Sequence, residues 1–287
     1  MKYFPIISLL LLLFTACDPQ QDDKIDIGLP PAEATFSITP AAEPNHYILK
    51  NTTPDVFEYL WDLGNGTKMS GEEVDAYYPL KGTYTITLTV FGRGGHATSS
   101  QTLEVPEDAP FDCESDALYK YLTDCEQRTW KLKPAEGSLW VGPTDGSTTW
   151  WAIGQADIDG RPCMFNDEWT FTKDGMMIYD TKGDIFGEPY MGFNFECVDE
   201  SMLPPDKAPW GSGTHTFELL PGDKLKVNGL GAYLGLPKVA NGAEVTDPQT
   251  TVTYDIIRWD TNADGKEMEL EVNFGGGLWR FIYVSPN

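Results

Sequence analysis

The stretch "YLWDLGNGTKMSGEEVDAYYPLKGTYTITLTVFG", Tyr59 to Gly92, decides the architecture of this chain. Its second half alternates cleanly. Tyr84, Ile86, Leu88 and Val90 point one way and Thr85, Thr87 and Thr89 the other, the period of two that marks a half-buried strand. Asn65-Gly66 is a tight-turn pair. Upstream, "TFSITP", "HYILKNT" and "EYLWDLGNG" are further strand-length runs. From about Ala32 to Val105 the chain reads as a small β-sandwich.

The same residues resemble the PKD (polycystic kidney disease) domain. That family's pattern is Trp-Asp-Phe-Gly-Asp-Gly, then an aromatic before Gly-x-Tyr-x-Val-x-Leu-x-Val. Trp61, Asp62, Gly64, Gly66, Tyr78, Gly82, Tyr84, Leu88 and Val90 stand at its positions, while Leu63 and Asn65 depart conservatively. The resemblance implies an immunoglobulin-like sandwich over residues 32–105 that serves as a spacer, with Trp61 in its core.

Bulk composition agrees with a β-rich protein. The 287 residues allow one large domain or two ordinary ones, and 41% hydrophobic and 13% aromatic residues supply a core. With 28 Gly and 21 Pro, the chain suits strands and turns better than helices. A net charge of −24 repels nucleic acid and anionic lipid head groups, whereas an uncharged glycan meets no such barrier.

The N-terminus carries an address. "MKY" is a short basic region, and "FPIISLLLLLFTA" is apolar but too short for a comfortable membrane span. It ends Phe14-Thr15-Ala16-Cys17, which resembles the bacterial lipobox. Residues 1–16 are therefore expected to be a lipoprotein signal peptide and Cys17 the lipidated N-terminus, an ordinary signal peptide cut near Ala16 being the alternative. Acyl chains on Cys17 would attach the protein to a membrane through the lipid anchor alone. Residues 17–31, acidic and proline-bearing, read as a flexible tether. Asp22 and Asp23 resemble the export signal of Bacteroidota lipoproteins, implying the cell-surface face of the outer membrane; a plain solvated linker is the other reading.

Apart from Cys17, four cysteines remain, and in an exported chain they favour two disulfides. Three pairings are possible. Nearest-neighbour pairing, Cys113 with Cys125 and Cys163 with Cys197, is the expectation. Zinc finds no C-x-x-C spacing, and His46, His96 and His215 are scattered.

After a linker at residues 106–112, "PEDAPFD", residues 113–287 are long enough for one independent domain. "SDALYKYLTD" predicts a helix, with Leu118, Tyr121 and Leu122 at helical spacing. Two hairpins follow, around Asp174-Gly175 and Pro221-Gly222-Asp223, and "TTVTYDIIRWD", "KEMELEVNF" and "LWRFIYV" are three closing strands. The fold class expected is all-β: the PKD sandwich, then a larger antiparallel β-sandwich with a short helical lead-in.

This second part holds most of the tryptophans. Trp130, Trp169, Trp259 and Trp279 lie in strand patterns and read as core. Trp140, Trp150, Trp151 and Trp210 lie in loops. Trp150 and Trp151 are adjacent within "GPTDGSTTWWAIGQADIDGRPC", and neighbours in an extended segment point to opposite sides, so at least one is expected to be exposed. An exposed indole suits the C–H face of a pyranose. Covering roughly 50 Å² of it yields about 1.2 kcal/mol. Asp157, Asp159 and Arg161 could bond sugar hydroxyls, or could simply be a solvated loop.

Catalytic patterns are weak. A glycosidase needs two facing carboxylates. Glu73 to Tyr78, "EVDAYY", matches only the first half of the Glu-x-Asp-x-x-Glu signature, and Asp167 and Glu168 are neighbours that point apart. "DTNADGKEMELE" places Asp260, Asn262, Asp264, Gly265 and Glu271 at EF-hand calcium-loop spacing, but between strands rather than helices, so a turn-rich hairpin competes with calcium as its meaning.

"TWKLKPAEGSLWVGPTDGSTTWWAIGQADIDGRPCMFNDEWTFTKDG" and "VNGLGAYLGLPKVANG" resemble a domain of Bacteroidota polysaccharide-utilization lipoproteins, often from β-glucan (laminarin) loci. The resemblance implies a non-catalytic surface protein that catches polysaccharide for neighbouring hydrolases and an outer-membrane importer. Trp150 and Trp151 fall in the matching stretch, with Trp140, Trp210, Tyr233 and Lys238 as further glycan-binding candidates. A glycoside hydrolase on the same scaffold and a protein-adhesion subunit are the rival readings.

Overall fold

A computed structural model describes residues 28–31, 33–109 and 113–286. The expected signal peptide, Cys17, most of the tether and residues 110–112 of the linker lie outside the described residues. No helix among the described residues is long and apolar enough to cross a membrane.

The N-terminal sandwich consists of β1 (Phe36–Pro40), β2 (His46–Asn51), β3 (Glu58–Asp62), β4 (Lys68–Ser70), β5 (Glu73–Tyr77), β6 (Gly82–Gly92) and β7 (Gly95–Val105). One sheet is ordered β1-β2-β5 and the other β4-β3-β6-β7. Ile86, Leu88 and Val90 of β6 are fully buried with Trp61, Leu49 and Tyr78, as the alternation predicts. Trp61 meets Phe36 edge-to-face at 5.2 Å, and its indole N–H donates to the Gly71 carbonyl at 2.9 Å. The glycine at position 64 is a steric requirement. Its φ is +76°, and an added Cβ would come within 2.6 Å of the Thr85 carbonyl oxygen.

The second domain runs α1 (Ala117–Thr123), β8 (Gln127–Leu132), β9 (Leu139–Gly142), β10 (Trp151–Ala152), α2 (Gln155–Gly160), α3 (Pro162–Asn166), β11 (Glu168–Thr172), β12 (Met176–Asp180), β13 (Asp184–Gly187) and β14 (Glu196–Asp199). It continues with β15 (Gly213–Leu220), β16 (Lys224–Asn228), β17 (Val239–Ala240), β18 (Ala243–Glu244), β19 (Thr251–Asn262), β20 (Gly265–Asn273) and β21 (Leu278–Pro286). The main antiparallel sheet is ordered β10-β9-β21-β20-β19-β16-β15-β12-β11-β8, and β8 also pairs with β21. The ladder thereby returns on itself, which removes most free edges from a β-sandwich-like domain. β8 and β9 share one side of β21: Leu278–Phe281 pair with β9, and Tyr283 and Val284 with β8.

Local signals hold where they were strong. Asp116 caps α1 by accepting from the Leu118 and Tyr119 amides, and both predicted hairpins form around glycines with positive φ, Gly175 and Gly222. The cysteines pair as nearest neighbours, Cys113–Cys125 and Cys163–Cys197. Trp130 and Trp169 are core, but Trp259 is not. A bulge between Ile256 and Arg258 shifts the register of β19 and leaves Trp259 36% exposed, edge-on to Tyr121. The helices α2 and α3 lie in a stretch that reads as loop. They are too short to be stable on their own, and the Cys163–Cys197 bridge ties α3 to β14.

The two domains are packed together. The Lys68 carbonyl accepts from the Leu230 amide at 2.5 Å, and the linker is held against the first domain where the Pro79 carbonyl accepts from the Ala109 amide at 2.8 Å. Gly175 lies so near Pro79 that a Cβ there would come within 2.8 Å of it.

Candidate functional site

The β9–β10 hairpin and the adjoining start of β21 bring most of the candidate residues to one end of the sheet. Trp151 lies opposite Val141, and Ala152 opposite Trp140. Strand alternation then separates the paired tryptophans, as the sequence predicts. Trp151 turns inward and packs on the core, 6.1 Å from the Trp279 ring. Trp150 turns outward and is 54% exposed.

The outward face forms a small platform. A Cβ on Gly142 would come within 2.3 Å of the Trp140 ring, and one on Gly277 within 2.7 Å of the Trp150 ring and 2.4 Å of the Gly142 carbonyl. Both indoles thus lie over a floor of glycine backbone that no larger residue could replace. The Trp140 indole N–H donates to Thr149 Oγ1 at 2.8 Å. The Arg280 guanidinium stacks 4.8 Å from the Trp140 ring centre, and its Nε donates to Glu271 at 2.6 Å. The platform therefore offers flat apolar surface edged by hydrogen-bonding groups, the combination a sugar ring requires.

The inward face gathers a second cluster. Arg161 Cζ lies 5.7 Å from the Trp151 ring centre and 4.8 Å from that of Phe186, and Asp157 fixes the guanidinium through a 2.9 Å bond across one helical turn of α2. Lys238 Nζ sits 5.7 Å from the Trp279 ring centre and bonds Glu188 at 3.0 Å. The Trp279 indole N–H donates to Glu244 at 2.8 Å. Trp151 and Lys238 thus meet Trp279, and Arg161, held by Asp157, meets Trp151. Asp159 is exposed and bonded to Gln155 instead.

Two candidates are corrected by burial. Trp210 is only 1% exposed. The short turn Ala208–Trp210 folds its ring inward, edge-on to Tyr190 at 5.5 Å, so it cannot meet a glycan. Tyr233 is 3% exposed, and its hydroxyl shares a 2.7 Å bond with that of Tyr179. Tyr179 in turn donates to Asp167 at 2.9 Å. Burial pushes the Asp167 carboxyl well above the usual carboxylate range. Glu168 faces the other way, onto Lys131 and Lys182 at 2.8 and 2.5 Å, so these two acids point apart as predicted.

The calcium-spaced residues are not all brought together. Asp260 and Asn262 sit near the tip of the β19–β20 hairpin, where Asp260 bonds Arg258 and Asn262 takes the Asp264 amide. Glu271 lies far along β20, opposite Asp255 and bonded to Arg280. Among the described residues no group of three or more His, Cys, Asp or Glu is disposed to hold a metal ion.

Sequence reasoning missed Arg280, Glu271, Gly142 and Gly277 as platform residues. "GGGLWR", Gly275 to Arg280, carried a signal: glycines in a strand context mark close approach by another group.

Comparison with known proteins bears mainly on the first domain. Residues 30–106 match the PKD domain family. The PKD1 domain of the Vibrio cholerae metalloprotease PrtV is 32% identical over 25% of this chain and 93% of its own length, with a TM-score of 0.23. The PKD1 domain of Vibrio anguillarum Epp is 28% identical over 27% of this chain and 93% of its own, with a TM-score of 0.24. A structure of carbohydrate-binding modules from the β-sandwich superfamily aligns over 88% of this chain and 91% of its own, at 12% identity and a TM-score of 0.23. No curated protein matches. The chain is a two-domain β protein. Through residues 30–106 it belongs to the PKD-domain family.

Proposed function

We propose that this protein is a non-catalytic, glycan-binding lipoprotein of the cell surface. Cys17 carries the lipid anchor in the outer membrane, and the second domain captures a polysaccharide for neighbouring hydrolases and an importer. β-1,3-Glucan is the first candidate, on the resemblance of the second domain to β-glucan-locus lipoproteins. The observation that carries the reading is the outward platform, where Trp150 is exposed beside Trp140 over the Gly142–Gly277 backbone. Two indoles stacking on sugar faces would contribute about 2–3 kcal/mol, and Arg280, Glu271 and Thr149 would add hydrogen bonds and orientation. The −24 charge favours a neutral polymer over an acidic one.

Calorimetric titration of the chain lacking residues 1–17 tests this, with laminarin first in a panel of neutral glycans. Saturable binding that Trp150→Ala abolishes, in a variant that still melts like the parent, supports the reading. Unchanged binding in Trp150→Ala removes the platform. Release of reducing sugar from the bound glycan would overturn the non-catalytic assignment.

A further inference from the structure

We propose that the groove between the two domains binds a small hydroxylated anion of the sugar-acid class, with Lys68 holding its carboxylate and His215 bonding it from below. The groove has a volume of about 380 Å³, and Leu60 and Lys68 line it from the first domain, Pro209, Thr214, His215 and Leu230 from the second. That size is at the lower end of small-molecule sites, about 300–1,000 Å³. It shares no residue with the Trp150 platform, and the proposal does not depend on glycan capture there.

His215 is the first observation. It is 4% exposed, and neither ring nitrogen has a hydrogen-bond partner among the described residues. Glycines make room for it on two sides: a Cβ on Gly213 would lie 3.2 Å from Nε2, and one on Gly229 2.5 Å from Nδ1. An unsatisfied buried polar group is costly, and a ligand in the groove would relieve that cost. Burial also pushes the His215 pKa down to about 4, so at neutral pH the ring offers one N–H and one lone pair.

Lys68 is the second. Most lysines and arginines of this acidic chain sit on carboxylates, but among the described residues Lys68 makes no ion pair. Its cross-strand partner is Asp62, whose carboxylate accepts the Gly64 amide at 2.9 Å instead. An unmatched ammonium at the groove selects an anion. The chain's overall negative charge is screened beyond about 8–10 Å, so the field in the groove is set by Lys68 together with the carboxylates of Asp62, opposite it, and Glu200, bonded to Ser212. The apolar walls of Leu60, Pro209 and Leu230 suit a C–H face. A neutral sugar would leave Lys68 unused, and an inorganic anion would leave the apolar walls unused.

The chain contains three histidines, so their ring signals can be assigned by single His→Gln variants and followed by NMR in the chain lacking residues 1–17. Glucuronate, glucose and sulfate are the probes. Glucuronate is expected to shift the His215 signals saturably and raise that residue's pKa, because a bound carboxylate favours the imidazolium. Glucose or sulfate should need at least about tenfold higher concentration, and Lys68→Met should weaken glucuronate binding about five- to tenfold. Lys68 is exposed, so this variant retains the fold. The proposal is overturned if glucuronate leaves His215 unmoved, if glucose or sulfate acts equally well, or if Lys68→Met binds glucuronate as the parent does.

Discussion

His46 of the PKD domain and Glu218 of the second domain meet across the seam, with Nε2 3.1 Å from the carboxylate, while the other ring nitrogen is 2.9 Å from Asp75. Burial works against the imidazolium, but the hydrogen bonds to Glu218 and Asp75 outweigh it and raise the His46 pKa above 6.5. Lys226 and Asn228 also bond Glu218, and Tyr77 stacks on the imidazole at 4.7 Å. The imidazolium's contribution is complete below 6.5 and is lost as pH rises through the raised value. Glu218 is depressed below 4.5, so its share is present above 4.5 and is lost as pH falls through the lowered value. The seam should therefore be strongest between these limits. Melting curves across pH 5 to 9 should show His46→Gln destabilised by about 1–3 kcal/mol at the acidic end and by little at the alkaline end. A pH-independent loss would exclude an imidazolium latch.

The tryptophans should divide by burial. Trp150→Ala should change stability by less than about 1 kcal/mol, whereas Trp210→Ala should cost about 3–5 kcal/mol through the cavity it leaves. Trp151→Ala, half-buried against Trp279, should fall between them. Chemical denaturation of the three variants checks the order, and a costly Trp150→Ala would return that ring to the core.

Breaking the Cys163–Cys197 bridge should loosen the Arg161-bearing turn between α2 and α3. A bridge spanning 34 residues restricts the unfolded chain by roughly 3–4 kcal/mol. The Cys163→Ser, Cys197→Ser double variant should melt lower and exchange amide hydrogens faster at residues 155–166. Unaltered exchange there would mean that packing alone holds the two helices.

Gly64→Ala should destabilise the PKD domain by more than about 1 kcal/mol, because it combines a positive φ with a contact on the Thr85 carbonyl. Gly137→Ala provides a comparison, since its φ is also +76° but a Cβ there meets nothing within 4 Å. Equal losses in the two variants would show that backbone strain alone sets the cost.

The PKD domain was legible because its signals are local. A period of two, a turn pair and a Trp-Asp-x-Gly stretch each need only a few consecutive residues, and Trp61 and Gly64 have the burial and conformation that these signals require. The second domain was legible as hairpins and as nearest-neighbour disulfides for the same reason. The sequence also determined that Trp150 and Trp151 must face opposite ways, because alternation along a strand is a property of the backbone.

Tertiary structure alone decided which of the two faces outward. Closure of β8 onto β21 fixes which side of the β9–β10 hairpin faces the core, and residues more than a hundred positions away, Trp279, Arg280 and Gly277, complete both faces. It also drew Trp210 and Tyr233 inside, although both are glycan-binding candidates in Gly- and Pro-rich stretches of the sequence. Composition reports the affinity of a segment for water; burial depends on what other segments pack over it, and those contacts are non-local.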